Sequence, residues 1–369
     1  MIARPLAELL PAAAGVLGVP GLPGEDWLAA GPVGSAEHIV ILLVDGLGHE
    51  QLAAHLGVAP RLGAMTDLGP LAAPFPATTS VSLTSFGTGL PPGLHGIVGS
   101  MFRLDGRVLA PLSWGADPNP IATQPEPTIL ERAAAAGVLV VSAAPARFRA
   151  SGLTRAALRG GEYAGAETSA ERVAVARDAV ARARAASRRS LVYVYWPDLD
   201  KAAHVHGAAS AQYRAELAAV DRLVADLAEL ARRGVALLVT ADHGIVDVPD
   251  SRRFDIESRP VLRRGVQTIL GEPRVRHVYT ATGRSREVQR NWAEELGERA
   301  LVLLREEAAD LYGSIDPWHA DRIGDVVAIA NADWALVSDR VDRLVSSLRG
   351  QHGGLTDAEV LVPLRLAIG

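Results

Sequence analysis

The chain reads as an α/β protein in which a mostly parallel central sheet is flanked by helices in layers. Three observations predict that class. Short apolar runs recur at 38–44, 138–143, 191–196, 235–240 and 326–330, and they are near-continuous rather than alternating, as strands covered on both faces tend to be. Helical patterns lie between them, notably Ser169–Ser187 and Ala211–Arg233; strands alternating with helices build parallel sheets, because a parallel neighbour needs a crossover connection. Finally, 369 residues that are 49% hydrophobic and 21% charged suffice for one large core.

Taken in order, the opening stretch MIARPLAELLPAAAGVLGVPGLPG is interrupted by Pro5, Glu8, Pro11 and Pro20. We read it as an amphipathic starter helix rather than a signal peptide, which would have a basic start and a longer unbroken apolar core. The run HIVILLV then delivers Asp45, Gly46 and Gly48. In an open parallel sheet the C-terminal strand ends form the ligand crevice, so Asp45 is placed at the functional edge; a helix cap is the plain alternative. Next, PLAAPFPA reads as strand then turn, and TTSVSLTSFGTGL as a short helix opening at Thr78 or Thr79. A hydroxyl there can be an ordinary cap, or a nucleophile facing a phosphoryl group held by free backbone N–H groups.

After LVYVYWP, Asp200 and His204 stand four apart, so a helical turn puts both on one face. Asp198 and His206 offer a second pairing that spacing alone does not exclude. The run VALLVT ends at Asp242, His243 and Gly244, two adjacent ligand-type side chains at a strand end. Residues 250–349 change character, with basic loops (SRRF, RRGVQ, GEPRVRH) and an acidic helix expected around Asn291–Leu304. We read them as a small α/β cap inserted into a single catalytic domain spanning 1–369. His352 follows in a glycine-rich turn, and LVPLRL reads as a final strand.

Composition limits the chemistry. Net charge is -5, which suggests no polyanion-binding surface and so no nucleic-acid polymer as partner. No stretch approaches the roughly 20 apolar residues that span a bilayer, so no membrane partner is expected and the cytoplasm is the expected location. Cys is absent, so disulfides, thiolate metal sites and cysteine nucleophiles are excluded together. The Asp and His residues form mixed N/O ligand sets suited to two Zn2+ ions, with Mn2+ or another first-row ion tolerable. Two such ions can activate a hydroxyl and clamp phosphoryl oxygens during in-line displacement.

The ordered pieces VDG, PATTS…TGLPPGLHGIVG, PDLDKAAHVHG, TADHG and HGG resemble the nucleotide pyrophosphatase/phosphodiesterase family of the alkaline phosphatase superfamily. The resemblance runs from Ile39 to Leu366 and implies an alkaline-phosphatase-like layered fold. It also implies hydrolysis of phosphodiester or pyrophosphate bonds in small phosphorylated substrates, nucleotides among them. In that family a Thr lies nine residues before the Thr of the TGL turn, which here begins at Thr88 and selects Thr79 as the nucleophile. The family's Asp-x3-His-x2-Gly form selects Asp200 and His204, through Gly207. By the same motifs Asp45, Thr79, Asp242 and His243 look like one metal site, and Asp200, His204 and His352 like the other.

Where the family often has Asn after HGIVG, this chain has Ser100. We expect the Ser100 side chain and the Ser80 backbone N–H to hold the phosphoryl oxygens. The family's nucleobase-sandwiching aromatics are not identifiable, with Trp114, Trp196 and Trp318 as candidates only. One alternative keeps the fold for phosphomonoester or phosphonate hydrolysis or phosphoryl transfer, with Arg147, Arg149, Arg155 and Arg159 available to a dianion. Another is a metal-stabilised binding protein without catalysis. A dinucleotide-binding dehydrogenase is poorly supported, since no Gly-x-Gly-x-x-Gly follows the strand ending at Asp45.

Overall fold

The structure, a computed structural model, describes residues 3–22, 26–232 and 234–369. Its frame is a seven-stranded sheet built from β1 (His38–Val44), β2 (Thr66–Asp67), β3 (Leu139–Ala144), β4 (Glu162–Gly165), β5 (Ser190–Trp196), β6 (Val235–Thr240) and β11 (Arg365–Ile368). The spatial order is β2-β11-β6-β1-β5-β3-β4. The run β6, β1, β5, β3, β4 is parallel, while β11 lies antiparallel on β6 and β2 antiparallel on β11.

Every residue of β1, β3, β5 and β6 is buried, and the alternation along β5 shows why. Tyr193 meets Phe86 of helix α2 (Thr79–Thr88), with ring centroids 5.8 Å apart. Trp196 points the other way, under the Arg172 guanidinium of α4 (Ser169–Ala185), 4.5 Å from the ring centroid. With helices on both faces no position along the strand can be polar at low cost, and the period-two pattern disappears.

Three readings need correction. Helix α1 (Leu9–Val16) is not amphipathic: Leu9, Leu10, Ala12, Ala13 and Ala14 are all buried in the main core. Pro11 is tolerated because it falls in the first turn, where the backbone N–H has no intrahelical acceptor. The outer ends of that stretch, Met1, Ile2, Pro23 and Gly24, lie outside the described residues, as does Arg233 beyond α6 (Ala211–Ala228). The expected acidic helix starts and stops earlier, as α7 (Ser285–Leu296). It ends at Gly297, whose φ of 54° suits glycine, and Ala300–Leu304 becomes strand β9, burying Ala300, Val302 and Leu304 on one face.

The third correction concerns 326–330, strand β10 (Val326–Ala330). It lies not in the central sheet but in a separate antiparallel sheet with β7 (Val266–Glu272), β8 (Val275–Thr280) and β9, in the order β7-β8-β10-β9. Trp292, Val288 and Leu296 of α7 pack with Val278, Val302 and Ala328 of this sheet. Phe75, Tyr312 and Ile97 pack with Val275, Val327 and Ile329. An apolar run tells that a strand is covered on both faces, not which sheet holds it.

A buried ion pair ties the turn between β7 and β8 to the short helix Asp357–Val360 that precedes β11. The Arg274 guanidinium donates to both Glu359 oxygens at 2.8 Å, and neither side chain has any exposure. Glu359 also accepts from the Gly354 backbone N–H at 2.8 Å, so the turn after His352 is held through the second sheet. Among the described residues no helix is long and apolar enough to cross a membrane.

Candidate metal centre

Strands β6, β1 and β5 are adjacent and parallel, so their C-terminal ends open at one edge. Asp45 leaves β1 there, its N–H donating to the Trp196 carbonyl at 2.9 Å. Asp242 and His243 leave β6, and Asp200 and His204 stand on α5 (Asp198–His206), which follows β5. At Gly46 the chain turns with φ of 73°, and its N–H donates to Asp242 Oδ1 at 3.2 Å. A Cβ at Gly46 would lie 2.8 Å from Asp200 Cβ, so glycine is required by both the backbone angle and the close approach. Gly46→Ala is therefore expected to weaken Zn2+ affinity by about 10–100-fold; calorimetric titration with zinc checks it.

The three histidines share one arrangement. His204 Nδ1 lies 2.7 Å from the Gly350 carbonyl, His243 Nδ1 2.9 Å from the Gly244 carbonyl and His352 Nδ1 3.1 Å from the Ala77 carbonyl. A carbonyl only accepts, so each Nδ1 carries a proton, and each ring when neutral keeps its lone pair on Nε2. His243 Nε2 is 3.5 Å from Asp45 Oδ1 and 3.6 Å from Asp242 Oδ2, and His204 Nε2 is 3.2 Å from Asp200 Oδ2. The His352 ring stacks on His243 at 3.8 Å and lies 5.0 Å from His204. Backbone carbonyls behind imidazoles fix the tautomer that metal binding requires.

The residues fit divalent ions on an independent ground. Asp45 Oδ1, Asp200 Oδ1 and Asp242 Oδ2 are buried without a hydrogen-bond partner, which is costly for carboxylates unless a cation answers them. Ligand atoms of Asp200, His204 and His352 lie within 4.8 Å of one another, as do those of Asp45, Asp200 and His243. Asp200 thus stands between the two groups, where the family motifs had put Asp242 with Asp45 and His243. Asp198 and His206 join neither group, and His206 is exposed.

Burial, then the charges of Asp242 and Asp200, push Asp45 well above the usual carboxylate range. Burial and Asp200 raise Asp242 to about 7. Burial would raise Asp200 too, but the His204 charge and hydrogen bond outweigh it and hold Asp200 low. Burial works against a charged His204, yet Asp200 lifts it to about 9. Burial, with His243 and His204 nearby, drives His352 well below its ordinary value. Without a cation the cluster therefore favours protons on Asp45, Asp242 and His204 but not on Asp200, and these are the protons an ion must displace.

Thr79 is the first residue of α2, and its Oγ lies 3.1 Å from His243 Nε2. The plain cap reading fails for both threonines. Thr78 is the N-cap residue but makes no side-chain cap bond, its hydroxyl donating instead to Glu272 Oε2 at 3.3 Å. Ser80 occupies the second helical position, where a backbone N–H has no intrahelical acceptor; its hydroxyl donates to the Gly99 carbonyl at 3.0 Å, drawing in the segment that carries Ser100. Of the four arginines, Arg159 binds Glu131 and the Glu126 carbonyl, Arg149 the Tyr163 carbonyl, and Arg147 pairs with Glu167.

Sequence reasoning missed two neighbours. The Tyr195 hydroxyl donates to Asp45 Oδ2; its signal is faint, a tyrosine just before a strand end. Glu272 closes β7 beside Thr78, 4.0 Å from His352 Nδ1, and burial raises it to about 8 despite the Thr78 bond. Nothing local to GEPR announces that position.

Carboxylates and imidazoles facing a hydroxyl at the C-terminal edge of a parallel sheet define a candidate metallohydrolase on the alkaline-phosphatase-like fold. The sequence model of the type I phosphodiesterase / nucleotide pyrophosphatase family matches residues 39–355, and the chain belongs to that family. Its members are divalent-metal-dependent phosphoester hydrolases. An inactive variant of murine ectonucleotide pyrophosphatase / phosphodiesterase 5 in complex with AMP is similar in structure, with TM-score 0.68, 18% identity, and coverage of 88% of this chain and 87% of that one. The human counterpart gives TM-score 0.66 at 17% identity, covering 89% and 87%. Phosphonoacetate hydrolase from Sinorhizobium meliloti, in complex with phosphonoformate, gives TM-score 0.68 at 21% identity, covering 90% and 91%. Comparison with curated protein sequences yields no match.

Proposed function

We propose that this chain is a two-metal hydrolase of phosphodiester or pyrophosphate bonds in small phosphorylated substrates, with Thr79 as the nucleophile. The observation that carries the reading is the convergence of three partnerless carboxylate oxygens and three imidazoles, each with its Nδ1 tied to a carbonyl, around the Thr79 hydroxyl. Asp45, Thr79, Asp242 and His243 would hold one ion, and Asp200, His204 and His352 the other. Zinc matches the mixed N/O donors best, with manganese the next choice. When bound, the ions supply positive charge that favours the ionised threonine oxygen and neutralises the phosphoryl oxygens.

Thr79 loses its hydroxyl proton to solvent as Oγ bonds to phosphorus. The bond to the leaving oxygen breaks on the opposite side, and that oxygen departs with the electron pair and takes up a proton. Water then cleaves the phospho-threonine ester, restoring the hydroxyl and releasing a phosphate monoester. The Ser80 N–H and the Ser100 side chain hold the phosphoryl oxygens in this reading, as oxyanion donors. Tyr195 keeps Asp45 oriented. Residues 250–349 act as a cap on one catalytic domain, a role supported by Glu272 reaching Thr78 from the second sheet. The cytoplasmic assignment belongs to the same reading, since a chain without Cys loses no disulfide in a reducing compartment.

A diester preference is favoured over a monoester one because none of Arg147, Arg149, Arg155 and Arg159 lines the cavity beside Thr79, and a dianion needs more positive charge than a monoanion. Zinc-loaded protein is expected to hydrolyse bis-p-nitrophenyl phosphate with a kcat/KM at least about tenfold above that for the monoester, a difference of roughly 1.4 kcal/mol. A reversed ratio would overturn the diester assignment.

A further inference from the structure

The cavity beside Thr79 has a second end that hydrolysis at phosphorus does not use. It lies between the sheet face of β3 and β5 and the helices α2 and α3 (Gly152–Ala157). Its walls include Leu83, Leu153, Leu158, Tyr193 and Tyr195, and among the described residues no charged side chain lines it. Leu112, 64% exposed, lies on the same lining.

Within this apolar lining two hydroxyls are out of place. Ser142 Oγ and Tyr193 Oη are buried without a hydrogen-bond partner, although Ala or Phe in their positions would avoid that cost. They are not independent: Ser142 of β3 is registered directly against Tyr193 of β5, so both side chains stand on one face of the sheet, as neighbours. Of the other small hydroxyls of the lining, Thr79 faces His243 Nε2 at 3.1 Å, and Ser151 and Thr154 bond each other at 3.0 Å.

We propose that this cavity is a specificity pocket for an uncharged, largely apolar ester substituent bearing one neutral hydrogen-bonding group, a hydroxyl or carbonyl, that engages Ser142 and Tyr193. The proposal rests on the phosphodiesterase reading and names its substrate class. A carboxylate or second phosphate would lose its hydration with no cation to receive it. A nucleoside fits poorly for a different reason: its base edge and sugar hydroxyls present more polar atoms than two hydroxyls can satisfy, and each unmet one costs binding.

Product binding and turnover test this separately on the zinc-loaded protein. By calorimetry, 6-hydroxyhexyl phosphate should bind at least about tenfold more tightly than 5-carboxypentyl phosphate and than AMP, in line with the cost of desolvating unmatched polar groups. Ser142→Ala and Tyr193→Phe should each bring the ratio of 6-hydroxyhexyl to hexyl phosphate affinity towards one. The matching p-nitrophenyl diesters should follow the same order in kcat/KM. Tighter binding of AMP, or an unchanged ratio in both variants, overturns the pocket assignment. Binding in the expected order with no turnover of any diester overturns the hydrolase reading instead and leaves the pocket standing.

Discussion

Thr79→Ala is expected to lower kcat on a phosphodiester by at least about 10³-fold, roughly 4 kcal/mol of transition-state stabilisation, while metal content by elemental analysis stays close to that of the parent. The expectation follows from position. The hydroxyl opens a fully buried helix and faces His243 Nε2 at 3.1 Å, whereas six ligand-type side chains remain when it is removed. Thr79→Ser keeps the oxygen and should retain measurable turnover. An alanine variant with near-parental, metal-dependent rates would falsify the nucleophile assignment.

Removal of metal by a chelator is expected to abolish turnover, and re-addition of Zn2+ or Mn2+ to restore it. The pH dependence of that re-binding is the sharper measurement. His204, lifted to about 9, carries a proton in the metal-free protein at neutral pH, and Asp242, lifted to about 7, shares one about evenly with solvent there; Asp45 is raised as well. Each proton displaced makes affinity rise about tenfold per pH unit, so affinity should climb from pH 6 to 8 and level off only above 9. Stability of the metal-free protein carries the opposite sign: the raised His204 contributes fully below its unfolded value and loses that contribution as pH rises through about 9. Calorimetry in buffers of different ionisation enthalpy counts the protons released. An affinity that is flat across this range would remove these residues from the metal site.

Much of the frame was readable from local sequence because its determinants are local. A strand buried on both faces cannot hide its apolar run, and a carboxylate straight after such a run stands at the sheet edge wherever the strand pairs. That is why Asp45, Asp242 and the Asp200/His204 turn could be picked out. What failed depended on distant partners. The apolar run 326–330 gives no sign of its sheet, and the helix boundary near 297 was overrun because charged residues continue across Gly297. Glu272 gains its place only when β7 brings it against Thr78, 194 positions away. The pairing of Ser142 with Tyr193 likewise exists only in the register of two strands. Ser100 remains readable as an oxyanion donor from its motif and its place near Ser80, not from any bond it makes.

The carbonyl behind each imidazole has a mechanical consequence. His204 is tied to Gly350, two residues before His352; His352 is tied to Ala77, two residues before Thr79; and the Ala77 N–H in turn donates to the Gly353 carbonyl at 3.2 Å. Helix, turn and Thr79 are therefore links in series rather than parts mounted separately. For anyone retuning metal preference, His352 and Thr79 behave as one handle: exchanging the imidazole also removes a tie on the segment that leads into Thr79. Asp242 belongs to a second series: its Oδ1 accepts from the backbone N–H of Gly46 at 3.2 Å and of His243 at 3.0 Å, so substitutions there also reach the imidazole that faces the Thr79 hydroxyl.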